Sequence, residues 1–265
     1  MTDSFRRWNR SLLVVFGVFV IVFLIGPSIV IVPMGFTAGQ SLTFPPVGFS
    51  LNWYGKMLSD PAWTSGFINS FQVAVVTAIV ASVLGTMAAL GIARGRFPGK
   101  SIANALILSP LVVPVIVIGI GMFSFFVRFK LSGTLVGMVI AHTALSVPYV
   151  VVSVSTSLRS MDRNLEMAAA NLGANPWRTF QRVTLPLIMP GVFAGALFAF
   201  LESWDEVVVS IFMTTTKFRT LPVVMWEQVR QVVDPTVAAV ATVLLVTTTT
   251  VLTLALVVRR QTPVR

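Results

Sequence analysis

The sequence predicts an all-α, polytopic membrane protein with six transmembrane helices, and three observations carry that expectation. Hydrophobic residues make up 55% of the 265 residues and charged residues only 11%, with a mean hydropathy of +0.88, well outside the range of soluble domains. The apolar residues come in long runs, and about 20 residues rising 1.5 Å each cross a hydrocarbon core of roughly 30 Å. All 19 lysines and arginines fall between these runs and none within them.

The first run, 12–32, follows Arg6, Arg7 and Arg10. It is longer than the apolar core of a cleaved signal peptide, so it reads as a retained helix, with a kink expected at Gly26-Pro27. Residues 33–66 hold Pro45-Pro46, several glycines and the aromatic clusters Asn52-Trp53-Tyr54 and Pro61-Ala-Trp63. Tryptophan and tyrosine favour the headgroup level, which suggests an outer-surface segment with one short amphipathic helix. The second span, 67–93, carries Ala81, Gly85 and Ala89 at four-residue spacing, the small-residue stripe that lets helices approach closely in lipid.

A basic turn over 94–100 leads to the third span, 102–126, which contains Pro110 and Pro114. The backbone groups these prolines free must be satisfied by neighbouring helices or a hydrated path. The fourth span, 134–154, holds His142 and Pro148; His142 reads as a packed or hydrogen-bonded residue. The fifth and sixth spans cover 189–212 and 236–258. The stretch 213–235 between them is too polar to span and is expected to fold back on the outer face. Thr247–Thr250 should bond to carbonyls of their own helix. The whole chain, 1–265, reads as one transmembrane domain.

Six spans place both termini on one side. With that side cytoplasmic, thirteen basic residues lie inside (Arg6, Arg7, Arg10, Arg94, Arg96, Lys100, Arg159, Arg163, Arg178, Arg182, Arg259, Arg260, Arg265) and six outside, as the positive-inside rule requires. The formal charge of +10 forms no basic stripe with interleaved aromatics, so nucleic acid is not an expected partner; membrane lipid is. The absence of cysteine excludes disulfides and thiolate metal sites and leaves the redox compartment open. One histidine excludes a histidine-rich metal site and gives no support to a nucleophilic triad. No Walker-type phosphate loop is present, and Gly119 and Gly121 read as packing residues. No catalytic site, bound metal or cofactor is therefore expected in this chain.

Glu202, Asp205 and Glu206 lie in the fifth span. A carboxylate at mid-bilayer costs about 2.5–3.5 kcal/mol by insertion scales, so three need a reason. At i, i+3 and i+4 they share a helix face. No span supplies a cationic partner, which leaves two alternatives: acids facing a cationic solute, or a span that breaks early and leaves them at the outer interface. Trp204, between them, offers either a face for a cation or an interfacial anchor.

The segment 159–188 is a polar, helix-prone island between two spans. It reads Leu165-Glu-Met-Ala-Ala-Ala-Asn-Leu-Gly173, then Ala174–Arg182, then Val183-Thr-Leu-Pro186. A protein surrounded by lipid has no folding reason to keep such a segment, so something soluble is expected to dock there. The spacing resembles the coupling motif of binding-protein-dependent ABC importer permeases. Ala168 and Ala169 take the Ala-Ala places, Gly173 the glycine, Val183 the isoleucine, and Leu185-Pro186 the end. Met167 stands where the family has glutamate, with Glu166 one residue earlier. Trp204-Asp-Glu-Val-Val-Val-Ser210 and Thr220-Leu-Pro222 further resemble the spermidine/putrescine permeases.

The resemblance implies a type I importer permease fold in a bacterial inner membrane. It also implies a second permease subunit, a different homologous chain, along with two cytoplasmic ATP-binding subunits that hydrolyse ATP with Mg, and an extracytoplasmic solute-binding protein. A polyamine is the expected solute; iron, phosphonate or opine permeases are the alternatives within the class. An ion-coupled secondary transporter is the alternative outside it, although that class usually shows internal repeats, which this chain lacks. A purely structural membrane subunit would leave the acids unexplained.

Overall fold

The computed structural model describes residues 2–231 and 233–261, and these are helical apart from turns, loops and one isolated β-bridge, Thr215–Phe218. Arg265, one of the basic residues expected on the cytoplasmic side, lies outside the described residues. Five helices are long and apolar enough to cross a membrane, or six if one bent pair counts as a single span. The chain forms two compact units, Met1–Pro61 with Glu227–Thr249, and Ala62–Trp226 with Thr250–Arg265, where the sequence reads as a single domain.

In the first unit, α1 (Thr2–Met34) stays helical through Gly26, Pro27 and Pro33. Its apolar side chains from Leu12 to Phe23 are largely exposed, as suits a helix facing hydrocarbon. The chain then turns back on itself through Ala38 N–H to Val47 O and Ser50 N–H to Phe36 O. Next comes α2 (Asn52–Ser59), the short amphipathic helix expected there. Lys56 Nζ reaches Asp234 Oδ2 at 2.6 Å, and Tyr54 packs on Phe36 at 4.9 Å. Asp234 Oδ1 also accepts from the N–H of Thr236, the first residue of α12 (Thr236–Gln261).

The second unit begins with α3, which starts at Pro61 rather than Phe67 and runs to Arg94. Its small-residue stripe Ala81, Gly85 and Ala89 is buried, and the two alanines join one cluster with Val150, Val154, Ile188 and Ala199. The expected third span is sharply bent. The pair Lys100–Leu111, made of α4 (Lys100–Leu108) and a 3₁₀ turn (Ser109–Leu111), and α5 (Val115–Arg128) meet at 102°. Pro110 sits in the turn and Pro114 precedes α5. Proline lacks the N–H that would continue the helix.

The fourth span, α6 (Leu135–Ser160), is the most buried of the candidate spans. Thr134 caps it, its hydroxyl oxygen accepting from Gly137 N–H at 3.0 Å. Val150 of α6 is wedged between two glycines. A Cβ on Gly85 would lie 2.6 Å from Val150 Cβ, and one on Gly195 would lie 2.9 Å from Val150 Cα. α3, α6 and the helix carrying Gly195 are therefore packed at backbone distance.

After α6 come α7 (Asn164–Asn171), α8 (Pro176–Thr179) and a π-helical turn (Phe180–Thr184), which feeds α9 (Leu185–Asp205). The fifth span does not run unbroken to 212 as expected. It stops at Asp205, Glu206 takes an extended conformation (φ −69°, ψ 122°), and α10 (Val208–Met213) begins anew. α11 (Leu221–Gln231) occupies the polar stretch expected to fold back.

Candidate functional site: an acidic cleft and a coupling loop

The break between α9 and α10 separates the three acids that the sequence places on one face. Glu206 leaves the helix and its carboxylate folds onto the start of α10. Oε1 accepts from Val209 N–H at 2.7 Å and Oε2 from Ser210 N–H at 2.9 Å. These two donors belong to the first turn of a helix, where no intrahelical acceptor exists, so Glu206 caps α10 and is itself buried. Glu206, expected to face the solute beside Asp205, thus also caps a helix: each of its oxygens accepts from backbone, while the residue remains part of the cleft lining.

Glu202 and Asp205, one turn apart on α9, do share a face. Both line a cleft of about 340 Å³ together with Glu206, Tyr149, Phe198 and Val208. Tyr149, on α6, lines the cleft beside Glu202 and stacks on Phe198 with ring centroids 6.4 Å apart. The cleft thus joins three acidic residues to an aromatic pair, and its lining carries no basic side chain. The sequence reading missed Tyr149. Its signal was present, since the chain has only two tyrosines and this one interrupts an apolar span.

Trp204 is not in the cleft. Its indole is fully buried, stacked on Phe200 at 5.9 Å and edge-on to Phe67 at 5.4 Å and Phe71 at 6.5 Å. Both roles expected of it, cation face and interfacial anchor, give way to packing. His142 is buried and hydrogen-bonded, with Nδ1 2.8 Å from Ser203 Oγ and Nε2 2.9 Å from Ser210 Oγ.

The loop expected to couple to a soluble partner folds as two short helices with an apolar exposed edge. Gly173 ends α7 at φ +82°. Gly173 N–H bonds to Ala170 O and Ala174 N–H to Ala169 O, the paired bonds of a Schellman cap, which favours glycine at this place. Asn175 then caps α8, its side-chain oxygen accepting from Arg178 N–H at 2.8 Å. Leu172 is 88% exposed, with Met167 at 53% and Trp177 at 63%. Ala168 is exposed and Ala169 half-buried.

Of the other motif residues, Leu185 packs on the core cluster of α3, α6 and α9, Val183 is half-buried, and Pro186, in the first turn of α9, is exposed. Glu166 turns toward the spans. Its Oε2 pairs with Arg94 Nη2 at 3.0 Å, and its Oε1 accepts from Thr184 Oγ1 at 2.8 Å. The carboxylate one residue before the family position therefore ties α7 to the end of α3 and the start of α9.

Comparisons with known proteins agree with this layout. Residues 81–263 match the family described as binding-protein-dependent transport system inner membrane component. The putrescine transport system permease protein PotI of Escherichia coli (strain K12) is 35% identical over 230 residues, covering 84% of this chain and 82% of PotI. The spermidine/putrescine transport system permease protein PotC of Haemophilus influenzae is 32% identical over 214 residues, 81% of each. Among solved structures, a bacterial ABC transporter involved in the import of the acidic polysaccharide alginate superposes with a TM-score of 0.75 over 98% of both chains, at 18% identity. That likeness establishes the fold alone. The chain belongs to the inner membrane components of binding-protein-dependent transport systems.

Proposed function

We propose that this chain is the permease subunit of an ATP-driven ABC importer whose solute is a small polycation, a polyamine such as putrescine or spermidine. The observation that carries the reading is the cleft in which Glu202 and Asp205 face Tyr149 and Phe198 with no basic residue among them. A carboxylate attracts a cation at 4 Å by about 4 kcal/mol at an effective dielectric of 20, and an aromatic face adds about 0.5–2 kcal/mol. An anionic solute such as a phosphonate would meet only acidic charge there. The names of PotI and PotC support the same class.

In this reading the chain has no catalytic site. Two cytoplasmic ATP-binding subunits bind ATP with Mg and dock on the edge formed by Met167, Ala168, Ala169 and Leu172. A second, homologous permease completes the path, and an extracytoplasmic binding protein delivers the solute. Both termini lie in the cytoplasm. Uptake of labelled putrescine into vesicles holding the assembled importer tests the solute. ATP-dependent accumulation that excess spermidine suppresses and a phosphonate does not is expected, and equal suppression by the phosphonate would overturn it. The absence of native cysteine makes orientation a clean measurement. Asn175→Cys should resist an impermeant thiol reagent in intact cells, whereas Ser41→Cys should react.

A further inference from the structure

We infer that His142 is a positioning residue, which clamps the break between α9 and α10 and thereby sets where Asp205 stands in the cleft. The ring lies on α6 and spans the break. Nδ1 meets Ser203, in the last turn of α9, at 2.8 Å. Nε2 meets Ser210, in the first turn of α10, at 2.9 Å. Asp205 lies between these two anchor points in the chain, and the residue after it, Glu206, is fixed from the α10 side by its bonds to Val209 and Ser210.

The chemistry of the four groups makes the clamp directional. Glu206 Oε2 lies 3.7 Å from Nε2, and a carboxylate only accepts. That favours the tautomer with its proton on Nε2, which donates to Ser210 Oγ, while the Ser203 hydroxyl donates to Nδ1. A neutral imidazole has one donor and one acceptor, and here each is used once. His142, Ser203 and Ser210 are at most 3% exposed and Glu206 8%. Water therefore does not offer a ready substitute, and a buried network of this kind specifies one geometry when fully satisfied. Packing alone would not need it. Irregular backbone at the end of a span is tolerated where it is buried in protein or lines a cavity, and here Glu206 and Val207 do line the cleft.

The test reads the position of residue 205 directly and does not depend on the solute. In the cysteine-free chain, assembled with its partners in membrane vesicles, Asp205→Cys is labelled by a small ammonium-bearing methanethiosulfonate, with and without His142→Ala. Loss of even one hydrogen bond of the clamp corresponds to about a fivefold change in a two-state population. A change of that size in labelling rate at 205 is expected, with a smaller one at Glu202→Cys, which precedes Ser203. The double variant Ser203→Ala/Ser210→Ala removes both anchors while keeping the ring, and should produce the same change if His142→Ala fails to insert. His142→Asn can offer its amide oxygen as an acceptor near the Nδ1 position and His142→Gln its amide NH₂ as a donor near Nε2, so each should fall between wild type and alanine. Labelling at 205 within twofold of the parent in both the alanine and the double-serine variants would overturn the inference.

An uptake measurement links the clamp to the proposed function, on which this arm alone rests. With Asp205 intact, His142→Ala should raise KM for putrescine several-fold while ATP hydrolysis without solute persists. A merely structural histidine would lower the amount of importer and Vmax at unchanged KM. A labelling change with no KM effect would retain the clamp and reject the placement of the solute at Asp205.

Discussion

Neutralising Asp205 and Glu206, neighbours in sequence, should produce opposite signatures. Asp205→Asn removes a charge that is exposed to the cleft. Attraction to a cation at 4 Å runs from about 1 kcal/mol in water to about 4 kcal/mol at a dielectric of 20, and an exposed carboxylate sits toward the lower end. A loss of about 1–2 kcal/mol is a five- to thirtyfold change, so KM for a dication should rise by that factor. The amount of assembled importer should stay level, because Asp205 is an exposed residue at the end of α9.

Glu206→Gln does the reverse. The carboxylate holds two backbone N–H groups at 2.7 and 2.9 Å, and glutamine keeps one acceptor oxygen while turning an NH₂ toward the other donor. Hydrogen bonds to a charged group are worth about 1.5–3 kcal/mol each. Burying a neutral amide costs less than burying a charge, which offsets part of the loss and leaves roughly 1–2 kcal/mol. The expected result is a lower thermal midpoint of the detergent-solubilised complex and less of it in the membrane, with KM within about twofold of wild type. Parallel measurement of KM, ATPase activity and thermal midpoint separates the two outcomes. A raised KM in Glu206→Gln at wild-type stability, with Asp205→Asn silent, would refute the assignment of path to one acid and cap to the other.

Three further outcomes follow from the same structure. A Cβ at Gly173 meets nothing within 4 Å, so only its φ of +82° opposes a side chain; Gly173→Asn, which tolerates this region, should keep solute-stimulated ATPase activity closer to normal than Gly173→Val, and equal loss in both would show a steric contact with a partner instead. Trp204→Phe keeps the stack on Phe200 and removes an indole N–H that has no partner, so putrescine KM should move less than about twofold; a large rise would return Trp204 to the solute path. Burial alone would raise the Asp234 pKa, but the bonds from Lys56 and the Thr236 N–H prevail and hold it below the ordinary carboxylate value. A lowered folded pKa gives stability that is complete above the unfolded value of about 3.9 and lost as pH falls through the folded one. Protection of the α2 amides, corrected for the intrinsic pH dependence of exchange, should therefore stay level from about pH 7 to 5 and fall only in stronger acid, and Asp234→Asn should lower it already at neutrality; a fall in the wild type between about pH 7 and 5 would contradict the assignment.

What the sequence disclosed and what it withheld divide by the range of the forces involved. Spans were legible because hydropathy sums over some twenty residues and tolerates local error. The stripe Ala81, Gly85, Ala89 was legible because small residues at that spacing serve little else in a membrane helix, and Gly173 because a positive φ is a local demand. The break after Asp205 was legible only as an alternative, offered by the cost of three acids in a span. Its contacts were not, because Ser203 and Ser210 meet a histidine 61 and 68 residues away. Trp204 reads as a polar-flanked aromatic until Phe67 and Phe71, on another helix, enclose it. Glu166 likewise looks like a docking residue until Arg94 and Thr184 take both its oxygens. Residues that bind chain to chain across the fold carry no local signature distinguishing them from residues that bind a partner.

That distinction bears on how the two halves of the candidate site would communicate. α9 runs 21 residues from Leu185 to Asp205, about 30 Å at 1.5 Å per residue, and each end is tied. At its start, Thr184 is bonded to Glu166 of α7, which Arg94 also holds; at its end, Ser203 is bonded to His142. Between them Val150 fits against Gly195 and, on its other side, Gly85, so that α9 has little freedom to slide on α6 or α3. Close-packed interiors transmit displacement rather than absorbing it. A push on α7 by a docked ATPase would then arrive at Asp205 through a helix held along its length, and the weak link is the π-helical turn at 180–184. Such turns are rare and are frequently found at functional sites, and this one lies on the direct route from Ala168 to the acids.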